Sequence, residues 1–133
     1  MSHRKSPPGA APGENVPEKQ ALLSADAAED IREILLWSQA KFGMRAASRY
    51  KALLQQALRD VAANPNRPGS EHRGELAKGV RSYHLSLSRQ RARTTTGSVQ
   101  NPRHLLIYRA RGVDTVEILR ILHDSRDLAR HLP

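Results

Sequence analysis

With 133 residues, 38% of them hydrophobic, the chain has room for one modest core, and the absence of cysteine excludes disulfide frameworks, thiol nucleophiles and thiolate metal sites. Lys and Arg outnumber Asp and Glu by 22 to 13, and the net charge of +9 favours an acidic partner, either a nucleic acid or an acidic protein segment. No apolar run is long enough to span a membrane, and Pro7, Pro8, Gly9 and Pro12 stand where the apolar stretch of an export signal would lie, so a cytoplasmic, reducing setting is expected.

Residues 1–19 are rich in Pro, Gly, Ala and charge, with Val16 the only large aliphatic side chain. Burial there does not repay the entropy of ordering, so a flexible tail is expected, followed by one folded unit over residues 20–133. Ala21, Leu22 and Leu23 form a short apolar run that predicts an edge strand. Ser24 is a suitable N-cap, and Asp26, Glu29 and Asp30 complement the positive end of a helix dipole, so a helix starts at about Ala25. Ala27, Ala28, Ile31, Ile34, Leu35 and Ser38 mark its buried stripe and leave Asp26, Glu29, Asp30 and Glu33 outward. Gly43 ends it as a left-handed cap.

A second helix is predicted from Arg45 to Ala63, with Ala47, Tyr50, Leu54, Ala57, Leu58 and Val61 on its inner side and Asn64 and Pro65 at its end. The short joint between the helices requires an antiparallel hairpin. Asn66 to Gly79 reads as a polar connecting loop. Tyr83, Leu85 and Leu87 alternate with Ser82, His84, Ser86 and Ser88, which is the period of a strand with one buried face. Arg89 to Arg103 has no acidic residue and reads as a basic loop or hairpin tip. Strands follow at His104 to Arg109 and Thr115 to Leu122 across the turn Gly112 to Asp114, then a short C-terminal helix at Arg126 to Leu132. The fold class is α+β.

This order of elements, and several phrases within it, resemble the ParE branch of the RelE/ParE toxin superfamily over residues 21–133. The phrases are LSADAAEDI (Leu23 to Ile31), RYKALLQQALRDVAANP (Arg49 to Pro65), GVRSYHL (Gly79 to Leu85), LLIYR (Leu105 to Arg109) and VEILRILHDSRDLARHL (Val116 to Leu132). The resemblance implies an N-terminal strand and an antiparallel two-helix hairpin packed on a small antiparallel sheet. It also implies a toxin that poisons DNA gyrase by binding and is neutralised by an acidic ParD-like antitoxin in a hetero-oligomer. The N-terminal tail and the long segment Arg89 to Arg103 depart from the family pattern.

Expected target contacts are Arg109, Arg120, Arg126 and Arg130, and expected antitoxin contacts are Trp37, Arg49, Tyr50, Leu53 and Tyr83. For Arg109 and Arg120 the competing reading is an ordinary solvated ladder pair, and for Trp37 it is packing against the second helix. Ser24 is assigned to capping, as are His123 and Asp127, which are spaced to close the final turn. The superfamily also contains ribosome-dependent messenger ribonucleases, and under that alternative His123 and Arg81 are the catalytic candidates. Against it, Asp124 follows His123 where such nucleases tend to carry an aromatic. A third reading is a nucleic-acid-binding module built on Arg89 to Arg103. His3, His72, His104 and His131 lack metal-ligand spacing and no Gly-rich phosphate loop follows a strand, so no metal and no cofactor are expected.

Overall fold

The computed structural model describes residues 20–125; the expected tail, the C-terminal helix and with them Arg126, Asp127 and Arg130 lie outside the described residues. Strand β1 (Gln20–Leu23) leads into helices α1 (Ala25–Phe42) and α2 (Met44–Ala63), then β2 (Glu71–His72), β3 (Val80–His84), a 3₁₀ helix (Leu85–Ala92), β4 (His104–Ala110) and β5 (Thr115–His123). The sheet order is β1-β5-β4-β3-β2. Every pairing is antiparallel except β1 with β5, which is parallel, so the first strand seals one edge against the last. No helix among the described residues is long and apolar enough to cross a membrane.

The hairpin forms because each helix has a clear start or stop. Ser24 Oγ accepts the Ala27 N–H at 2.9 Å, satisfying one orphan donor of α1, and itself donates to the Leu119 carbonyl of β5 at 2.9 Å. Gly43 alone joins the helices. Its φ of 96° and ψ of 173° lie not in the left-handed helical region expected of a cap but in the extended positive-φ region that only glycine adopts freely.

One face of the sheet packs Tyr83, Leu106, Tyr108, Val116, Ile118 and Ile121 against Ala27, Leu53, Leu54, Ala57 and Val61 of the hairpin. Val80, Leu105, Ile107 and Leu122 point the other way and cluster with Leu76 and Leu119. Strand β4 therefore reads as a continuous apolar run because both its faces are covered. Each such side chain contributes about 1.5–3 kcal/mol by leaving water.

Besides Gly43, the structure corrects three readings of the sequence, the first being that the polar loop expected over Asn66 to Gly79 contains β2, which pairs with Ser82 and Arg81 of β3. Asp30, expected to face outward, is buried, because its carboxylate receives Arg120 and the Ile121 N–H. The strand predicted to run through Leu87 ends at His84, whose Nδ1 accepts the Ser86 N–H at 3.1 Å and turns the chain into the 3₁₀ helix. Leu85, Ser88 and Ala92 are its buried residues, a helical spacing concealed within the alternating pattern. The start of the expected basic loop, Arg89 to Ala92, is thus helical.

Candidate functional site

The register of β4 and β5 pairs His104 with His123 at one end of the sheet, with the rings edge to face, centroids 5.3 Å apart. Tyr50, reaching down from α2, places its hydroxyl 2.6 Å from His104 Nδ1 and accepts the Arg103 N–H at 3.2 Å. The Tyr50 hydroxyl and His104 Nδ1 share one hydrogen between them, so phenol and imidazole are bonded as a pair of neutral groups. Burial pushes the Tyr50 hydroxyl up to about 12. Burial, reinforced by the neighbouring His123, lowers His104 to about 4. Neither group is poised to exchange a proton near neutrality, so the pair presents a fixed neutral surface.

Beside it, Asp124 receives Arg103 through Nε at 3.1 Å and a terminal nitrogen at 2.9 Å, and His84 Nε2 at 3.0 Å. Arg103 first, then His84, hold its carboxyl well below the usual carboxylate range. His84 and His123 share one local device: in His84-Leu85-Ser86 and His123-Asp124-Ser125 the imidazole Nδ1 accepts the backbone N–H two residues on and meets that serine's hydroxyl at 2.8 Å. This repeated His-x-Ser at strand ends was visible in the sequence, and it was the available signal for the site.

Tyr50, Arg103, His104 and His123 floor a groove of about 690 Å³ between the hairpin, residues 98–103 and the His104–His123 end of the sheet. Trp37 and Phe42 form its apolar wall, their rings edge to face at 5.5 Å and exposed by 56% and 66%. Arg49 stands at the rim, held to the Thr96 hydroxyl at 3.2 Å. A concave, largely apolar wall with a few placed polar groups suits capture of a partner segment. Among the described residues, no group of three His, Asp or Glu side chains converges as a metal would require.

Of the expected antitoxin contacts, Trp37, Arg49 and Tyr50 come together here. Leu53 and Tyr83 do not, since both are buried in the core, Leu53 inside the hairpin packing and Tyr83 with its hydroxyl 2.8 Å from Ser88 Oγ. Arg109 and Arg120 do not make a basic patch, because each meets a carboxylate: Arg109 donates to Glu117 at 3.2 Å and Arg120 to Asp30 at 2.8 Å. The guanidinium of Arg111, then that of Arg109, lowers the Glu117 carboxyl. Arg81 and His123 stand at opposite ends of the sheet. They pair with Tyr108 and His104 of β4, separated by roughly 13 Å of strand. Arg81 is instead occupied by Ser70 at 2.7 Å and His72 at 3.1 Å. His123, assigned to capping with Asp127, bonds Ser125. His104, Asp124, Arg103 and Phe42 were not singled out by sequence reasoning as site residues.

The fold is shared with a chain of a solved structure described as the chromosomal ParDE TA system from P. aeruginosa, at a TM-score of 0.56 and 16% identity, covering 79% of this chain and 95% of that one. The family described as the ParE toxin of the type II toxin-antitoxin system, parDE, matches residues 21–128. Toxin ParE1 of two Mycobacterium tuberculosis strains, CDC 1551 / Oshkosh and ATCC 25618 / H37Rv, is 31% identical over 111 residues, spanning 84% of this chain and 95% of each relative. The chain belongs to the ParE toxin family of type II toxin-antitoxin systems.

Proposed function

We propose that the protein is a cytoplasmic toxin that acts by binding rather than by catalysis, with DNA gyrase as its target, and that an acidic ParD-like antitoxin neutralises it in a hetero-oligomer. The observation that carries the binding mode is the groove itself. It is walled by the exposed Trp37–Phe42 pair, floored by the neutral Tyr50–His104 pair and rimmed by Arg49. An amphipathic acidic helix fits such a site, with an apolar anchor between the aromatic rings and a carboxylate toward Arg49. Edge strand β1, with Leu22 and Leu23 exposed, offers a second docking line for an extended segment of the same partner.

Support for the non-catalytic reading comes from the phenol and imidazole at the groove floor, whose proton affinities lie far from neutrality on either side. The separation of Arg81 from His123 along β4 also weighs against the ribonuclease reading. A supercoiling assay with purified toxin and gyrase tests the target. Loss of supercoiling, restored by the antitoxin, is the expected result, and full supercoiling at saturating toxin rejects gyrase. Arg109 is the gyrase contact proposed from the described residues.

A further inference from the structure

Charge is unevenly distributed over this molecule. Segments 44–63 and 85–103 together carry eight cations, Arg45, Arg49, Lys51, Arg59, Arg89, Arg91, Arg93 and Arg103, against one acid, Asp60. Elsewhere most arginines meet carboxylates: Arg32 with Glu29, Arg73 with Glu71, Arg109 and Arg111 with Glu117, Arg120 with Asp30, while Arg81 bonds Ser70 and His72. On α2 and the 3₁₀ helix they mostly do not. Arg45, Arg49, Arg59 and Arg93 form no ion pair among the described residues, and Asp60 is buried beneath them.

Polar contacts tie several of these cations across the seam between α2 and the segment that follows β3. Arg59 donates to Gln56 Oε1 at 2.9 Å, Gln56 Nε2 to Asp60 at 2.9 Å, and Asp60 pairs with Arg91 of the 3₁₀ helix at 2.8 Å. A second chain runs from Arg49 to the Thr96 hydroxyl and on to Thr94, next to Arg93, at 3.2 and 3.1 Å. Arg59 and Arg49 are thus steadied by an amide and a hydroxyl, which hold them in place without neutralising them. At 100° per residue, Arg45, Arg49 and Arg59 fall within about 80° of one another, and Arg45 to Arg59 spans about 21 Å of helix.

We propose that this α2 and 3₁₀-helix face binds the phosphate backbone of duplex DNA. The span corresponds to about six base-pair steps at 3.4 Å each. Two observations favour duplex over the alternatives. The face carries no exposed aromatic ring on which single-stranded bases would stack: the aromatics Trp37, Phe42 and Tyr50 line the groove, and Tyr83 and Tyr108 are buried. The large apolar side chains exposed on these two elements, Met44 and Leu87, are two against eight cations, so charge rather than an apolar hot spot dominates the face. What remains is an array of charges suited to phosphate contacts that meets the antitoxin groove at Arg49 and extends away from it through Arg45, Arg59 and Arg93.

The test is fluorescence anisotropy of the full chain with a labelled random-sequence duplex, titrated with NaCl, in the absence of gyrase and antitoxin. Binding that weakens with salt is expected, and the triple variant Arg45→Gln, Arg59→Gln, Arg93→Gln should lower the log–log salt slope by about 0.9 for each phosphate no longer neutralised. Arg45→Lys, Arg59→Lys, Arg93→Lys should keep most of the slope, since neutralising a phosphate needs only the charge. The double variant Arg32→Gln, Arg111→Gln should change little. No binding at 50 mM salt overturns the proposal, as does an unchanged affinity and slope in the glutamine triple variant. An equal loss per charge in the double variant would reduce the effect to net charge, and displacement of DNA by poly-glutamate at equal charge would assign the face to acidic protein; either result also overturns it.

Discussion

Asp30 of α1 and Arg120 of β5 close a bidentate pair, at 2.8 and 2.9 Å, across 90 residues of sequence, and the same carboxylate accepts the Ile121 N–H at 2.9 Å. The pairing of β5 with β1 ends at Ile118, so Ile121 lies beyond the reach of that strand, and Asp30 serves its backbone donor instead. Hydrogen bonding from Asp30 raises the Arg120 guanidinium further above neutrality.

Asp30→Ala should therefore behave as a folding lesion. Removing one partner of a buried, hydrogen-bonded ion pair costs about 3–5 kcal/mol, and here it also orphans a backbone N–H. Urea unfolding at pH 7 measures it. Toxicity lost in Arg120→Ala should track the same fall in midpoint; if Arg120→Ala lost toxicity at wild-type stability, the residue would be a target contact instead.

Acid should weaken the fold before the carboxylates titrate. His104 is lowered to about 4 in the folded chain against an ordinary 6.5, so between these values the unfolded chain takes up a proton that the folded chain refuses. Stability from this group is complete above about 6.5 and falls as pH drops toward 4, by on the order of 2 kcal/mol after allowance for solvent screening. Denaturant midpoints at pH 7.5 and 4.5 should separate in the wild type, and His104→Asn should narrow the gap.

Ser88 and Arg91 both tie the 3₁₀ helix to α2 through Asp60, and the Ser88 hydroxyl is the buried link. Ser88 Oγ donates to Asp60 Oδ2 at 2.5 Å and takes the Tyr83 hydroxyl at 2.8 Å, with all three side chains buried. Ser88→Ala leaves two polar groups short of a partner and should cost about 1–3 kcal/mol. Amide exchange over residues 85–92 should accelerate more than over β4, which pairs with strands on both sides.

Trp37 is the single tryptophan and is exposed, so its emission reports the groove directly. Antitoxin binding should shift that emission to the blue. Trp37→Ala should weaken the complex by about 2 kcal/mol, roughly 30-fold, while leaving thermal stability within about 0.5 kcal/mol. Full affinity in the variant would place the antitoxin elsewhere.

Much of this was legible beforehand. Ser24, the aliphatic stripe of α2 and the run Leu105 to Tyr108 announced the cap, the hairpin and a central strand, because caps and periodicity are local and each residue type carries its own steric and hydrogen-bonding preference. Less legible was the 3₁₀ helix, where Leu85 and Leu87 alternate as a strand would while Leu85, Ser88 and Ala92 are the residues that bury. Two periods competed there, and the cap provided by His84 settled the choice.

Composition and near-neighbour spacing were enough to specify α1 and α2, four of the five strands, the missing thiol chemistry and the excess of positive charge. Only the tertiary structure decided which charges are neutralised and which polar groups meet. Asp30 with Arg120, Tyr50 with His104, and Asp60 with Arg91 are each brought together from separate elements. The reason is physical: a carboxylate or imidazole acts according to what packs against it, and packing partners far apart in the chain leave no periodic trace in it.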